Sequence, residues 1–336
     1  MFKIIFLLTF ILNFFSSYPS FATAQNPAKP PLEKIMITLG YHLDPCQIPV
    51  LLALKLGIFK KYGLDVNLSP ASGGEESSRQ VASKQAHIGI TKSANHIVRV
   101  NKGLPLKKIG TLLGKPLEVL IVNESLPHLK ELKNKKIGFS TSNPAFSLIV
   151  LDKILTTQGL TRRDIDLIAF QKGLAHAFMN GEVDAMFTAT LPYDAKIAEQ
   201  FNKPIRIYAY EEFGIPPFEQ FIFFAHKDDE GKAYIHKFLS AMKEALALVK
   251  KNPRGVWQDI CHHYPELDTS LNYKIWIGLV ELFEDEPENL DLENLQKTID
   301  FIKAHPVDGE QLIQKGFESA QAYVMLENAP SSPDNS

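Results

Sequence analysis

Cysteine is scarce in this sequence, with Cys46 and Cys261 the only two in 336 residues. They could pair in an oxidising compartment, but so wide a separation neither requires nor excludes a bond. An excess of charge of either sign is also missing. Thirty-six Lys and Arg against 38 Asp and Glu leave a formal charge of -2, which gives no case for nucleic acid or for a strongly charged partner surface. The short basic clusters, Lys60-Lys61 and Lys133-Lys135-Lys136, read as solvated faces. No Gly-rich phosphate loop, HExxH pair or GxSxG elbow occurs. His42, His87, His96, His176 and the His262-His263 pair have no metal-ligand spacing. Beyond the first 24 residues, no run is long and apolar enough to span a bilayer, which takes about 20 residues.

The start of the chain supplies an address. Lys3 precedes an apolar run, Ile4 to Phe15, interrupted only by Thr9 and Asn13, and Ala22-Thr23-Ala24 follows. That order is the pattern of a cleaved signal peptide, with the cut expected after Ala24. No cysteine follows the cut, so no lipid anchor is expected there. The expectation is a soluble, exported protein, 45% hydrophobic and 22% charged, with ample chain for two cores.

The body of the chain alternates. Lys34 to Leu39 predicts a strand, Ile48 to Tyr62 a helix ending at Gly63, and Leu64 to Leu68 a second strand. A helix over Glu75 to Gln85, a strand His87 to Ile90, and a helix Ser93 to Lys102 come next. Two more strands, Leu106 to Leu113 and Leu117 to Val122, close this series. It then restarts: strand Lys136 to Phe139, helix from Asn143-Pro144 to Thr157, strand Ile165 to Ala169, helix Leu174 to Asn180 and strand Val183 to Phe187. The last third reads as four helices, Lys232 to Lys250, Pro253 to His263, Asp268 to Phe283 and Leu290 to Lys303. The tail from Asn328 is compositionally disordered. Strands separated by single helices imply an α/β architecture of mostly parallel sheets.

One stretch stands apart from that alternation. Tyr208 to His226, YAYEEFGIPPFEQFIFFAH, turns through Gly214 and Pro216-Pro217 and ends in an apolar run suited to a strand buried on both faces. It would cross back to the first series. Tyr210, Phe218 and Glu219 offer rings and one carboxylate, which would suit a flat, nitrogen-rich ligand. Glu219 could equally be a strand-entry residue with its head in water. Ligands of open α/β sheets bind beyond the carboxyl ends of the strands. The candidates there are Asp44, Cys46 and Gln47 before the first helix, Thr91, Lys92 and Ser93 before the third, Ser140, Thr141, Ser142 and Asn143 before the first helix of the second series, and Thr188 beyond its last strand. Plain helix capping uses the same residue types.

Several segments resemble the periplasmic substrate-binding proteins of ABC importers, in the family that takes up thiamine pyrimidine precursors, sulfonates and nitrate. They are Pro49 to Val66, Val81 to Thr91, Lys133 to Leu155, Met179 to Phe187 and Gly214 to Phe224, preserved in order. The resemblance implies the type II periplasmic-binding fold: two lobes, each a mixed, mostly parallel sheet flanked by helices, with further helices at the C-terminus. The expected divisions are a signal peptide at 1–24, a first lobe at 32–122 completed by 211–327, a second lobe at 123–210, and a tail at 328–336. It also implies a monomer in the periplasm, without cofactor or metal, that clamps a small molecule and hands it to a permease in the inner membrane.

Within the family, Tyr210 to Phe221 is most similar to the pyrimidine-precursor binders. There Glu219 would meet the aminopyrimidine edge and Tyr41 would stack on the ring, with His42 beside it. Those binders carry Trp, Asn and His in the first loop, where Tyr41, Asp44 and Gln47 stand here. Ser140-Thr141-Ser142 and the ATLPYDA segment, Ala189 to Ala195, look instead like the sulfonate-type members. A fold-related eukaryotic pyrimidine synthase carries a cysteine-rich run that this chain lacks, so the expectation is a binding protein and not an enzyme. A sensor domain delivering its ligand to a membrane receptor remains open.

Overall fold

A computed structural model describes residues 31–40, 43–140, 144–170, 173–191, 193–305 and 317–325. The expected signal peptide and tail lie outside these residues, as do Tyr41, His42, Thr141, Ser142 and Asn143.

The chain builds one sheet, crosses to a second, and returns. The first series is β1 (Glu33–Thr38), α1 (Ile48–Lys55), α2 (Ile58–Lys61), β2 (Leu64–Ser69), α3 (Gly74–Ala82), β3 (Ile88–Thr91), α4 (Ser93–Asn101) and β4 (Leu106–Leu113). The second is β5 (Glu118–Asn123), β6 (Lys136–Ser140), α5 (Pro144–Thr157), β7 (Asp166–Phe170), α6 (Leu174–Met179), β8 (Ala185–Thr190), α7 (Tyr193–Gln200) and β9 (Ile205–Ala209). Then come β10 (Phe221–His226), α8 (Ala233–Lys251), α9 (Pro253–His263), α10 (Ser270–Leu279) and α11 (Leu292–Ala304). The predicted helix over residues 48–62 is two pieces, because Gly57 takes φ 67° in the left-handed region and interrupts the helical ladder.

The first sheet has the order β2-β1-β3-β10-β4 and the second β7-β6-β8-β5-β9. β1 is parallel to β2 and β3, and β10 is antiparallel to both β3 and β4. In the second sheet β6 is parallel to β7 and β8, and β5 is antiparallel to β8 and β9. Each sheet thus runs four strands one way and one strand against them.

β10 is the strand the apolar run predicts. Ile222, Phe223, Phe224 and Ala225 are fully buried, and neighbouring side chains enter cores on opposite faces. Phe223 joins the core under α1, α8, α9 and α10, whereas Phe224 joins a smaller one with Val81. Burying two Phe side chains contributes roughly 3–6 kcal/mol against leaving them in water.

The first crossing differs from expectation. β5 pairs with β8 and β9, so the chain leaves the first sheet at residues 114–117 and not beyond Val122. Hydrophobic patterning finds a strand but does not name its partner, and two consecutive strands joined by a short turn read as neighbours. β9 and α7 are also absent from the sequence reading. A five-residue strand and an eight-residue polar helix are too short for a clear period.

Candidate functional site

The carboxyl ends of the parallel strands of both sheets open onto one cleft of about 470 Å³. From the first sheet's side come Asp44, Cys46 and Lys92, and from the second's Ser140, Thr188, Thr190, His176, Tyr193 and Asp194. Leu117, Gln220 and Phe221 enter from the crossings, and Phe170, Leu174 and Ile197 add apolar wall. This is where open α/β sheets place ligands, and its volume falls within the usual range for small-molecule sites.

The loop after β1 is set by a reciprocal cap. Asp44 Oδ1 accepts the Cys46 N–H at 2.7 Å, and Gln47 Oε1 accepts the Asp44 N–H at 3.0 Å. The Gln47 amide also donates to the Leu39 carbonyl at 3.3 Å, so Gln47 is buried support behind Asp44. Lys92, after β3, is ion-paired with Glu118 at the start of β5, and this bond ties the first sheet to the second. Tyr193, on α7, reaches the other way: its hydroxyl lies 3.5 Å from Cys46 Sγ and its ring packs on the first core. Burial, with Asp44 close by, pushes both the Cys46 thiol and the Tyr193 hydroxyl up. Both cysteines are free.

Asp194 follows in the first turn of α7, where an acidic side chain suits the helix dipole. It accepts the Thr190 N–H at 2.5 Å. Burial raises its carboxyl to about 6, while the Thr190 N–H and Lys92 pull the other way. Thr188 stands at φ 61°, a left-handed conformation rare for a β-branched residue. Its N–H donates to the Tyr210 hydroxyl at 3.1 Å and its Oγ1 accepts the Ser140 N–H at 3.0 Å.

Of the sequence candidates, Asp44, Cys46, Lys92, Ser140 and Thr188 line the cleft together. Gln47 and Tyr210 sit behind them. Three others are placed elsewhere by bonds of their own. Thr91 is buried and accepts from Arg99 Nη1 at 2.8 Å. Ser93 donates its hydroxyl to the Glu219 carbonyl at 2.7 Å. Phe218 is buried with its ring centroid 5.1 Å from that of Phe146.

Glu219 requires a correction. Neither reading made from the sequence, a ligand-facing carboxylate or a solvated strand entry, matches its surroundings. It is 6% exposed, ion-paired with the buried Lys108 of β4, and accepts the Thr111 hydroxyl at 2.7 Å. A buried carboxylate needs such a partner, and the sequence does not mark Lys108 as one because it follows Lys107 directly and nothing in LKKIGTLL tells which lysine is buried.

Asp194, Tyr193, His176 and Thr190 are cleft residues that the sequence reading does not single out. The ATLPYDA segment holds three of the four, and its signal was an acid one position after a proline-led helix start.

The sequence profile of the NMT1/THI5 like family matches residues 44–256. A Haemophilus influenzae protein, provisionally named for thiamine biosynthesis, is 26% identical over 299 residues, covering 88% of this chain and 91% of its own length. A 4-amino-5-hydroxymethyl-2-methylpyrimidine phosphate synthase of Uromyces fabae is 25% identical over 255 residues, 71% of this chain and 74% of that one. Among solved structures, the periplasmic aliphatic sulphonate binding protein of Escherichia coli superposes with a TM-score of 0.67 at 19% identity, covering 87% of this chain and 97% of that chain. That likeness establishes the fold. The synthase names correct the expectation that an enzyme is excluded, since relatives at this distance are themselves named as enzymes. With the periplasmic-binding-protein fold and a profile match across most of both sheets, the chain belongs to the NMT1/THI5 like family.

Proposed function

We propose that the cleft holds a small heterocycle rich in N–H donors, a thiamine pyrimidine precursor, and that the chain is an exported ligand-binding component that delivers it to a membrane permease. The observation that carries this reading is the balance of charge. Among the described lining residues, Asp44 and Asp194 carry carboxylates and Lys92 is the one Lys or Arg, already paired with Glu118. A sulfonate or nitrate brings only acceptors and negative charge, and it would meet two carboxylates with one committed cation. An aminopyrimidine brings donors to those carboxylates and a flat face to Leu117, Phe170, Leu174 and Phe221. The names of the relatives, thiamine biosynthesis and pyrimidine phosphate synthase, point to the same chemical class.

Export would follow from the N-terminal pattern, with the mature chain beginning at Gln25. Among the described residues no helix is long and apolar enough to cross a membrane. The two sheets would act as lobes hinged at 114–117 and 210–220, closing on a ligand that touches both. Mass spectrometry of the protein purified without denaturation tests the ligand class. An aminopyrimidine carried through purification is expected, and a sulfonate in its place would overturn the reading.

A further inference from the structure

We propose that Thr188 selects the edge of the ligand, donating its hydroxyl hydrogen to a ring nitrogen while Asp194 accepts from the adjacent amino group, and that Tyr210 is the positioning residue holding Thr188 in place. This rests on the pyrimidine reading of the cleft.

Strand β8 carries a local irregularity. Along β5 and β8, Val119 faces Ala189 and Ile121 faces Met186, so Leu120 alone opposes both Phe187 and Thr188. Thr188 is the extra residue of this bulge, and its φ of 61° is strained for a β-branched side chain. Strain at a buried strand end persists only where neighbours hold it. Here they can be named. The Tyr210 hydroxyl takes the Thr188 N–H at 3.1 Å, and the fully buried Tyr210 ring is fixed 5.8 Å from that of Phe187. The Ser140 N–H donates to the Thr188 hydroxyl oxygen at 3.0 Å.

That last bond fills an acceptor position of the hydroxyl and leaves its hydrogen to point elsewhere. Among the described residues the hydrogen has no acceptor, and Thr188 lines the cleft. Asp194 lies on the same β8–α7 segment and also lines the cleft, with one carboxylate oxygen on the Thr190 N–H. The wall therefore offers a donor and an acceptor held by one stretch of backbone. Their complement is an acceptor next to a donor, the N=C–NH₂ edge of a 4-aminopyrimidine. A sulfonate could use the Thr188 donor but would face the Asp194 carboxylate.

Titration calorimetry on the full protein tests this with two probes: 4-amino-5-hydroxymethyl-2-methylpyrimidine, and its analogue with CH in place of the ring nitrogen beside the amino-bearing carbon. Thr188→Val keeps the β-branch and loses the hydroxyl, whereas Thr188→Ser keeps the hydroxyl. Thr188→Val is expected to weaken the pyrimidine about tenfold, the size of one hydrogen bond, and to leave the CH analogue unchanged. Thr188→Ser should bind the pyrimidine within about threefold of wild type, about 0.6 kcal/mol or less. Tyr210→Phe should show the same selectivity for the pyrimidine over its analogue, and it remains informative if Thr188→Val folds poorly. Equal losses for both probes, or none for either, would overturn the assignment while leaving the pyrimidine reading intact. Wild type binding neither probe would overturn the pyrimidine reading itself and this assignment with it.

Discussion

Burial holds the Asp194 carboxyl at about 6 in the folded protein against an ordinary 3.8. Between those values the native state keeps a proton that the unfolded chain has released. Stability therefore rises as pH falls from about 6 towards 3.8, and the contribution is lost above about 6. Full conversion of the shift would give about 3 kcal/mol, but water entering the cleft screens it, and about 1 kcal/mol is expected. Asp194→Asn should be more stable than wild type at pH 7.5 by that amount, with the difference vanishing near pH 4. Urea melts across that range measure it, and parallel pH profiles for the two proteins would contradict the account. The ligand answers with the opposite slope. Binding that needs an ionised Asp194 should weaken as pH drops below 6. Little of this was legible in the sequence. Asp194 stands within a quotable segment, but only the folded cleft reveals its burial. Thr188 was named as lying beyond a strand, while its left-handed backbone contradicts the extended preference of threonine.

At the scale of elements, the sequence shows most helices and strands because their apolar spacing is long enough to have a period. It does not show pairings between distant side chains. Lys108 of β4 and Glu219 ahead of β10 are 111 residues apart, and their ion pair fastens two adjacent strands of the first sheet. Glu219→Gln removes the ion-pair partner of the buried Lys108 ammonium and leaves Glu284 as a nearby carboxylate, and breaking a buried pair costs about 3–5 kcal/mol. Because the amide still accepts a hydrogen bond, a loss at the lower end, about 3 kcal/mol, is expected. Denaturant unfolding measures it. Pyrimidine affinity should hardly change, since Glu219 is not among the lining residues. A stable Glu219→Gln protein with weakened pyrimidine binding would restore the carboxylate to the ligand.

For the whole molecule, the alternation of strands and helices was enough to read an α/β fold of two series, and the apolar run at Phe221 was enough to bring the chain back to the first. The point of first crossing was not legible, because β5 is as apolar as β4 and either sheet could have accepted it. The crossings at 114–117 and 210–220 join the two sheets beside the cleft, where the Gln220 side chain accepts the Leu117 N–H at 2.9 Å. A ligand touching both sheets favours the arrangement that makes both sets of contacts. X-ray scattering should therefore show a smaller radius of gyration at saturating ligand, and an unchanged profile with a tight ligand would contradict closure.

The most direct test of the central claim, a cleft built for a donor-rich heterocycle and not for an anion, is a pair of calorimetric titrations of the wild-type protein at pH 7.5. One uses 4-amino-5-hydroxymethyl-2-methylpyrimidine and the other taurine. The charge balance of Asp44, Asp194 and the Lys92–Glu118 pair predicts saturable binding of the pyrimidine and none of taurine in the same range. Tight binding of taurine with no heat from the pyrimidine would contradict it.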